Sequence, residues 1–478
     1  MLSRVNSLLI VVLIWTAIYL PALGSLEIKG EEGRRILPAV TMLQTGNYIV
    51  PQVGSEPYLR KPPLVNWLVA ASFKIFGKRN EWTARLPSAL SALAVAIAFA
   101  TLARASLGAS GSTIAALIWL TNFGMIEKGR LIEIEALYVS LCGLAIIFWL
   151  SFWEQKKSPW LIWIPASIFL GLGLLAKGPM HLLFFYAIVI AVLCHAGEQR
   201  KIWSAAHLIG LVIMTSIFAA WAIPCLEMAR DAHVAHIWWR QFSGRLAGEG
   251  FKFGSWALNL PRSLGYFLPW LLLLPLLPSP KFSSERKIDI VRGLCWGIAV
   301  PLAIVDLIPG SLPRYTMPLL APAAWLLAET LTAETLTWPH WLGGKQFPPK
   351  DRQWAVMLIS ILTCVCLCAY ALAIVPQVQK RQKLRVIAAQ IDAMIPVSQR
   401  LYAVDPDYQP FLFYIHAPLA YVSNVEELPD DTRYFLVQRE NEALAAASKK
   451  WAPRQTHLLL RLSDYRKREI ILFAVGPT

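Results

Sequence analysis

Two adjacent carboxylates, Glu31 and Glu32, stand in Gly30-Glu31-Glu32-Gly33-Arg34-Arg35, directly after the first apolar run of the chain. A carboxylate at a membrane mouth can accept a proton from a nucleophile or orient it for attack. Neighbouring acids do not share a helix face, and the pair alone reads first as a solvated juxtamembrane charge cluster. A Pro-flanked basic motif follows, Glu56-Pro57-Tyr58-Leu59-Arg60-Lys61-Pro62-Pro63-Leu64. A second set of ionisable groups lies at the edges of apolar runs. Arg130, Glu133 and Glu135 open one run, and Lys177 sits between two in Leu174-Leu175-Ala176-Lys177-Gly178-Pro179. Asp306 closes another run, and Arg314, followed by Tyr315, opens the next. Charge in hydrocarbon is expensive, so each is a functional candidate; snorkelling to the interface is the alternative.

Other chemistries find less support. His233 and His236 have the i, i+3 spacing of a helical metal pair, with no third ligand near them in sequence. Cys364, Cys366 and Cys368 alternate within one apolar run, and successive members point about 200° apart on a helix. They read as packing residues. Neither a Ser, Cys or His nucleophile arrangement nor a Gly-rich phosphate loop is present.

The elements that position these groups follow from composition. The chain of 478 residues is 56% hydrophobic and 16% charged, against about 25% charged in soluble proteins. The charges are gathered between apolar runs of the length that a bilayer demands. The expected fold is therefore a polytopic α-helical membrane protein with about 11–13 transmembrane helices. The runs read at 7–24, 84–106, 109–126, 131–153, 159–176, 178–195, 203–224, 259–278, 289–308, 312–331 and 354–376. The first is read as an uncleaved helix. Trp67, Trp82, Trp160, Trp163, Trp221, Trp256, Trp270 and Trp354 lie at run edges, as interfacial anchors do. Residues 25–83 form a long first loop, and 63–76 within it reads as an interfacial helix.

Basic short loops set the orientation. Lys156, Lys157, Arg200, Lys201, Lys281, Arg286, Lys287, Arg292, Lys345, Lys350 and Arg352 face the cytoplasm if the N-terminus does. The first loop then faces outward, although it is basic too. A phosphate-bearing ligand would account for that excess. The net charge of +15 reads as membrane orientation and attraction to anionic lipid, not as nucleic-acid binding. The expected domains are 1–376, carrying the spans and the first loop, and 377–478, a small outer α/β domain. In the latter, 384–394 has helical spacing, while 401–404, 418–422, 434–437 and 470–474 read as strands.

The motifs resemble a known family. The stretch from Glu31 through Met42-Leu43-Gln44-Thr45-Gly46-Asn47-Tyr48 to Pro62-Pro63-Leu64 is similar to the first outer loop of GT-C membrane glycosyltransferases. These are related to the aminoarabinose transferase of lipid A and to protein O-mannosyltransferases. Phe73-Lys74-Ile75-Phe76-Gly77, Ala84-Arg85-Leu86-Pro87-Ser88-Ala89, the Gly-Leu-Gly-Leu-Leu-Ala-Lys-Gly-Pro run ending at Pro179, and Pro313-Arg314-Tyr315-Thr316-Met317-Pro318 extend the likeness over residues 30–330. The family's acid pair is usually Asp-Glu; Glu31 takes the first position and Glu32 the second, so either could be the catalytic acid. Lys61 matches a lysine that contacts the donor phosphate. Arg60 stands where the aminoarabinose transferase carries an acid linked to its bound metal, so a metal of that kind is not supported. A divalent metal elsewhere is the one cofactor left open. Glu135 falls where many members have Asp.

The resemblance implies transfer of a hexosyl or pentosyl unit from a polyprenyl-phosphate carrier, with inversion, to a glycolipid such as lipid A, another glycan or a protein. It implies a bacterial inner membrane location with the active site on the outer side. Lys61, helped by Arg34, Arg60 or Arg314, would offset charge on the leaving phosphate, with Tyr58, Lys177 and Tyr315 among the donor-binding residues. Arg130, Glu133 and Glu135 would line the cavity. Two rival readings are a lipid or sugar transporter with Glu135, Lys177 and Asp306 along its path, and a non-catalytic subunit that binds a lipid carrier. No internal repeat of the transporter kind is evident.

Overall fold

The computed structural model describes residues 4–476 except 55, 231–232, 247–250, 277–279, 283, 340, 342, 397, 407–408, 448–454 and 464–468. In chain order its helices begin with α1 (Arg4–Tyr19), α2 (Gly33–Thr45), α3 (Leu64–Phe76), α4 (Glu81–Thr101), α5 (Arg104–Thr121), α6 (Phe123–Gly129) and α7 (Ile134–Glu154). Next come α8 (Pro159–Ala176), α9 (Met180–His195), α10 (Ala205–Met228), α11 (Val234–Leu246), α12 (Phe253–Ala257) and α13 (Asn259–Gly265). The remainder are α14 (Glu285–Leu307), α15 (Leu320–Leu331), α16 (Pro349–Ala369), α17 (Val375–Gln379), α18 (Leu384–Met394) and α19 (Glu442–Ala447). The strands are β1 (Gln52–Val53), β2 (Glu56–Pro57), β3 (Leu401–Val404), β4 (Leu419–Val422), β5 (Tyr434–Gln438), β6 (Thr456–Ser463) and β7 (Glu469–Val475). The protein is thus mostly helical, with a small sheet near its C-terminus.

Among the described residues, α4, α7, α8, α10, α14 and the stretch from Pro349 are long and apolar enough to cross a bilayer. The pair α5 and α6, bent by 58°, makes a seventh such segment. That is fewer than the runs read from sequence, for two reasons. First, α1 and α9 have 16 residues each, about 24 Å at 1.5 Å per residue, short of a core about 30 Å thick. Second, two runs are broken. The 259–278 run holds α13 and then a 3-10 segment, Trp270–Leu276. The 312–331 run begins as a 3-10 segment, Pro313–Leu319, before α15. Proline lacks the N–H that continues an α-helix, and Pro269, Pro275, Pro313 and Pro318 punctuate these runs.

By packing, the chain divides into two units. The first comprises Met1–Leu23, Arg60–Val65 and Arg85–Leu372 and is helical. In it α8 packs on α7 and α10, α9 on α14, and α15 on α5 and α7. Gly293 and Gly297, about one turn apart on α14, let it approach α9 closely; a Cβ at either would lie 2.6 or 2.7 Å from the Cα of Val192 or Ile188. Such small-residue seams are how helices associate without a water-driven hydrophobic force. Trp163, Trp221 and Trp270 are buried in the packing, not placed as anchors. Trp160 and Trp354 are exposed, as anchors would be.

The second unit comprises Gly24–Leu59, Asn66–Ala84 and Ala373–Thr478. Its five-stranded sheet has the order β4-β3-β5-β7-β6. Strand β3 is parallel to β4 and β5, while β7 is antiparallel to β5 and β6. Phe435 and Phe473 stack at 5.3 Å in its core, beside Leu428, Val437 and Ile471. The sheet therefore shares a unit with parts of the first loop.

Arg352 departs from its expected place among solvated loop charges. It is 2% exposed. Its guanidinium donates to Phe347 O at 2.5 Å, Leu331 O at 3.2 Å and Ala333 O at 2.7 Å, satisfying carbonyls that the end of α15 leaves open. Arg352→Ala should strand buried acceptors and lower unfolding stability by about 2–4 kcal/mol. Thermal unfolding of the detergent-solubilised protein checks this, with the exposed Lys350→Ala as a near-neutral control.

Candidate functional site

The acid pair sits on a short 3-10 turn, Gly30–Glu32, entered through Gly30 at φ +53°. Glu32 is 2% exposed. Its Oε2 accepts from the Lys29 backbone N–H at 3.1 Å, so its carboxylate is folded back on its own turn. Glu31 is different. Its side chain is 43% exposed and meets Arg34 Nη1 at 3.1 and 3.2 Å. The next residue, Arg35, donates to Tyr58 Oη at 2.9 Å and lies 5.5 Å from the centre of that ring. Asn66 holds the Arg35 carbonyl at 2.7 Å.

The backbone leading into this turn is clamped by the C-terminal part of the same unit. Glu27 accepts from the Leu384 and Arg385 N–H groups at 3.0 Å each, a carboxylate at the positive end of α18. Ile28 N–H donates to Tyr414 Oη at 2.7 Å, and that hydroxyl donates to Glu81 Oε1 at 2.8 Å. Burial, reinforced by the charges of Glu81 and Glu27, raises the Tyr414 phenol well above its ordinary pKa, so it remains a donor. Arg385 also reaches Glu81 Oε1, at 2.5 Å. On the far side of the acid pair, the β1–β2 turn passes Gly54 at φ +67°, where a Cβ would lie 3.4 Å from Pro406. Ser423 Oγ donates to Glu56 Oε1 at 2.9 Å. Tyr58 is thus held next to this hairpin.

A second cluster lies in the helical unit. Glu135, in the first turn of α7, shares Oε1 between Lys177 Nζ at 3.2 Å and Arg314 Nε at 3.0 Å. Lys177 Nζ also lies 5.1 Å from the Tyr138 ring centre and 4.8 Å from that of Tyr315, within the reach of cation–π attraction. One carboxylate is thus shared by two cations beside aromatic walls. Each member sits where a helix ends or breaks. Lys177 caps α8 before Gly178 at φ +111°. Arg314 lies in the Pro313–Leu319 3-10 segment.

His181 braces the break at Lys177. Its ring nitrogens lie 3.0 Å from Gly178 O and 2.9 Å from Leu170 O, and its ring meets Tyr138 edge-on at 5.1 Å. The sequence reading passed over His181, although an ionisable ring in an apolar run was itself a signal. It also gave no role to Arg35, Glu27 or Tyr414, whose partners are distant in sequence.

The remaining candidates are placed as follows. Glu133 pairs with the buried Lys128 at 3.0 Å, and Glu127 does so at 2.8 Å. Arg130 is turned to the end of α1, donating to Ile18 O and, at 2.6 Å, to Pro21 O. Arg60 is exposed at a turn, and Lys61 is half-buried. Among the described residues no three His, Cys, Asp or Glu side chains group to hold an ion. With a cation at position 60, the residues do not fit the metal of the aminoarabinose transferase.

Residues 60–223 match the family described as dolichyl-phosphate-mannose-protein mannosyltransferase. Among curated proteins, an undecaprenyl phosphate-alpha-4-amino-4-deoxy-L-arabinose arabinosyl transferase of Pseudomonas fluorescens is 26% identical over 63% of this chain and 55% of its own length. A Proteus mirabilis protein of the same description is 26% identical over 68% of this chain and 59% of its own. The chain spans about half the length of the curated relatives it matches. The crystal structure of ArnT from Cupriavidus metallidurans bound to undecaprenyl phosphate has a TM-score of 0.72 at 16% identity, covering 98% of this chain and 97% of that one. The chain is similar in sequence to these transferases and has the fold of ArnT. The structural likeness covers 98% of the chain, while the family model covers residues 60–223.

In the helical unit, Gly173 is a sensitive position. A Cβ there would lie 2.5 Å from His181 Nε2. Gly173→Ala should displace the imidazole from Leu170 O and destabilise the Lys177 break by about 1–3 kcal/mol. Thermal unfolding should show it, with Gly254→Ala unchanged, since among the described residues no atom lies within 4 Å of a Cβ at Gly254.

Proposed function

We propose that the chain is a multi-pass inner-membrane glycosyltransferase. It moves a pentosyl or hexosyl unit from a polyprenyl-phosphate carrier to an envelope acceptor: a glycolipid such as lipid A, another glycan or a protein. The observation that carries the reading is the different setting of two adjacent carboxylates. Glu32 is consumed by its own turn, whereas Glu31 stands half exposed against Arg34. Glu31 is therefore the residue assigned the proton step.

The acceptor nucleophile attacks the anomeric carbon, its proton passing to the Glu31 carboxylate. The bond from that carbon to the phosphate oxygen breaks, and the electron pair leaves on polyprenyl phosphate. A single displacement inverts the centre. The leaving phosphate gains charge as the bond breaks, and fixed cations stabilise that change. Lys177 and Arg314, which share Glu135, and Lys61, Arg60 and Arg34 are the cations assigned to the donor. Tyr58 and Tyr315 complete the donor-binding set.

The apolar helices support a membrane-crossing chain with the short basic loops at the cytoplasmic face. The acid pair and the C-terminal sheet are then assigned to the outer face. The relatives are named as transferases, which supports transfer over carriage by a transporter. Glu31→Gln should lower kcat for transfer from an undecaprenyl-phosphate-linked sugar by about 100-fold or more. Glu32→Gln should retain more activity, and Lys61→Ala should chiefly raise KM for the donor. Full activity in Glu31→Gln would sink the assignment. Mass spectrometry of envelope glycolipids and glycoproteins, with and without the protein, would identify sugar and acceptor.

A further inference from the structure

Asp306 lies near the end of α14 and is 6% exposed. Ser263 of α13 places its Oγ 2.7 Å from Asp306 Oδ1 and 3.2 Å from the Pro313 carbonyl oxygen. Pro313 O also accepts from Thr316 Oγ1 at 2.9 Å. Among the described residues, Asp306 Oδ2 is buried without a hydrogen-bond partner. The charged and titratable groups on the elements around α14 are engaged elsewhere. Arg314 pairs with Glu135, Lys287 with Glu329, and the His181 ring faces two carbonyls. Arg262 and His195 are exposed. Among the described residues no basic side chain forms an ion pair with Asp306.

A carboxylate buried without a counter-charge is so costly that such groups neutralise instead. A serine hydroxyl has one proton and two lone pairs. With Asp306 ionised, Ser263 has one proton for two acceptors, and the charge on Oδ2 is left bare. With Asp306 neutral, its O–H donates to Ser263 Oγ, and the serine proton is free for the Pro313 carbonyl. Both donors are then used, and only an uncharged oxygen is left without a partner.

We propose that Asp306 is a neutral carboxylic acid that heads a hydrogen-bond chain through Ser263 to the Pro313 carbonyl, and so positions the segment that presents Arg314. Asp306 is a positioning residue: it acts on the bond next to Arg314, not on substrate. Its consequence for transfer rests on the function proposed above; its protonation state does not.

The test uses the full-length protein in lipid nanodiscs at neutral pH. The infrared difference spectrum between wild type and Asp306→Asn should show loss of a protonated-carboxyl C=O band. Loss of carboxylate bands alone would overturn the proposal. In the donor-dependent transfer assay, Asp306→Ala and Ser263→Ala should each raise donor KM by about 3–10-fold with a smaller effect on kcat. Asp306→Asn should recover most of that loss, because an amide N–H can donate to Ser263 as the acid does. An Asn variant as impaired as Ala would overturn the positioning role. Should Asp306→Ala fail to fold, Ser263→Ala reads the same chain. If the wild type transfers nothing, the proposed activity fails, while the infrared result still decides the state of Asp306.

Discussion

In the apolar helical unit, the shared charges gather where helices stop. Glu135, shared by Lys177 and Arg314, is the clearest case of this constraint. A helix interior offers a side chain only lipid or packed neighbours, so an ion there would be bare. A helix end offers backbone dipoles, unspent N–H or C=O groups and room for a partner. The breaks at Gly178-Pro179 and at Pro313 are therefore as much part of the cluster as its side chains. Arg130, seated on the end of α1, and Arg352, seated on the end of α15, follow the same rule with carbonyls as partners. The cations of this unit thus meet two kinds of partner: backbone carbonyls at helix ends, and the Glu135 carboxylate.

The acid pair obeys a different logic. It belongs to a unit with a sheet and ordinary polar networks, and its turn has too few residues to fix itself. Glu27 and Ile28 are tied to Leu384, Arg385 and Tyr414, and Glu56 is tied to Ser423. The C-terminal part of this unit thus does more than carry the sheet. Its helix α18, the 3-10 turn at Tyr414 and Ser423 hold the flanks of Glu31 and Glu32.

Much of the architecture was legible in the sequence, because hydrophobic runs and strand alternation are local signals. Strand β3 and helix α18 fall on the expected residues, and β4, β5 and β7 lie within a residue or two. Strand β6 was missed: its run Leu458-Leu459-Leu460 breaks the period of two, and a register shift between Leu458 and Leu460 shows why. Two apolar runs gave a false impression of continuous helices, since hydropathy weighs side chains and not the N–H that each proline removes. In the candidate site, the motif residues were legible as types. How differently the two acids are set was not, since that depends on where each carboxylate bonds. Nor could spacing show that the Arg130 guanidinium would turn to α1, or that Trp163 and Trp270 would be packed inside.

The tie between Ile28 and Tyr414 spans 386 residues of chain, and that from Glu27 to Leu384 spans 357. At about 5–20 residues per second, a ribosome needs on the order of tens of seconds to make the second partner after the first. Throughout that interval the nascent first loop carries its carboxylates on an unbraced turn. The order of synthesis therefore acts as a timer: the apolar helices can be inserted while the acid pair has no fixed geometry, and that geometry arrives only with the final quarter of the chain.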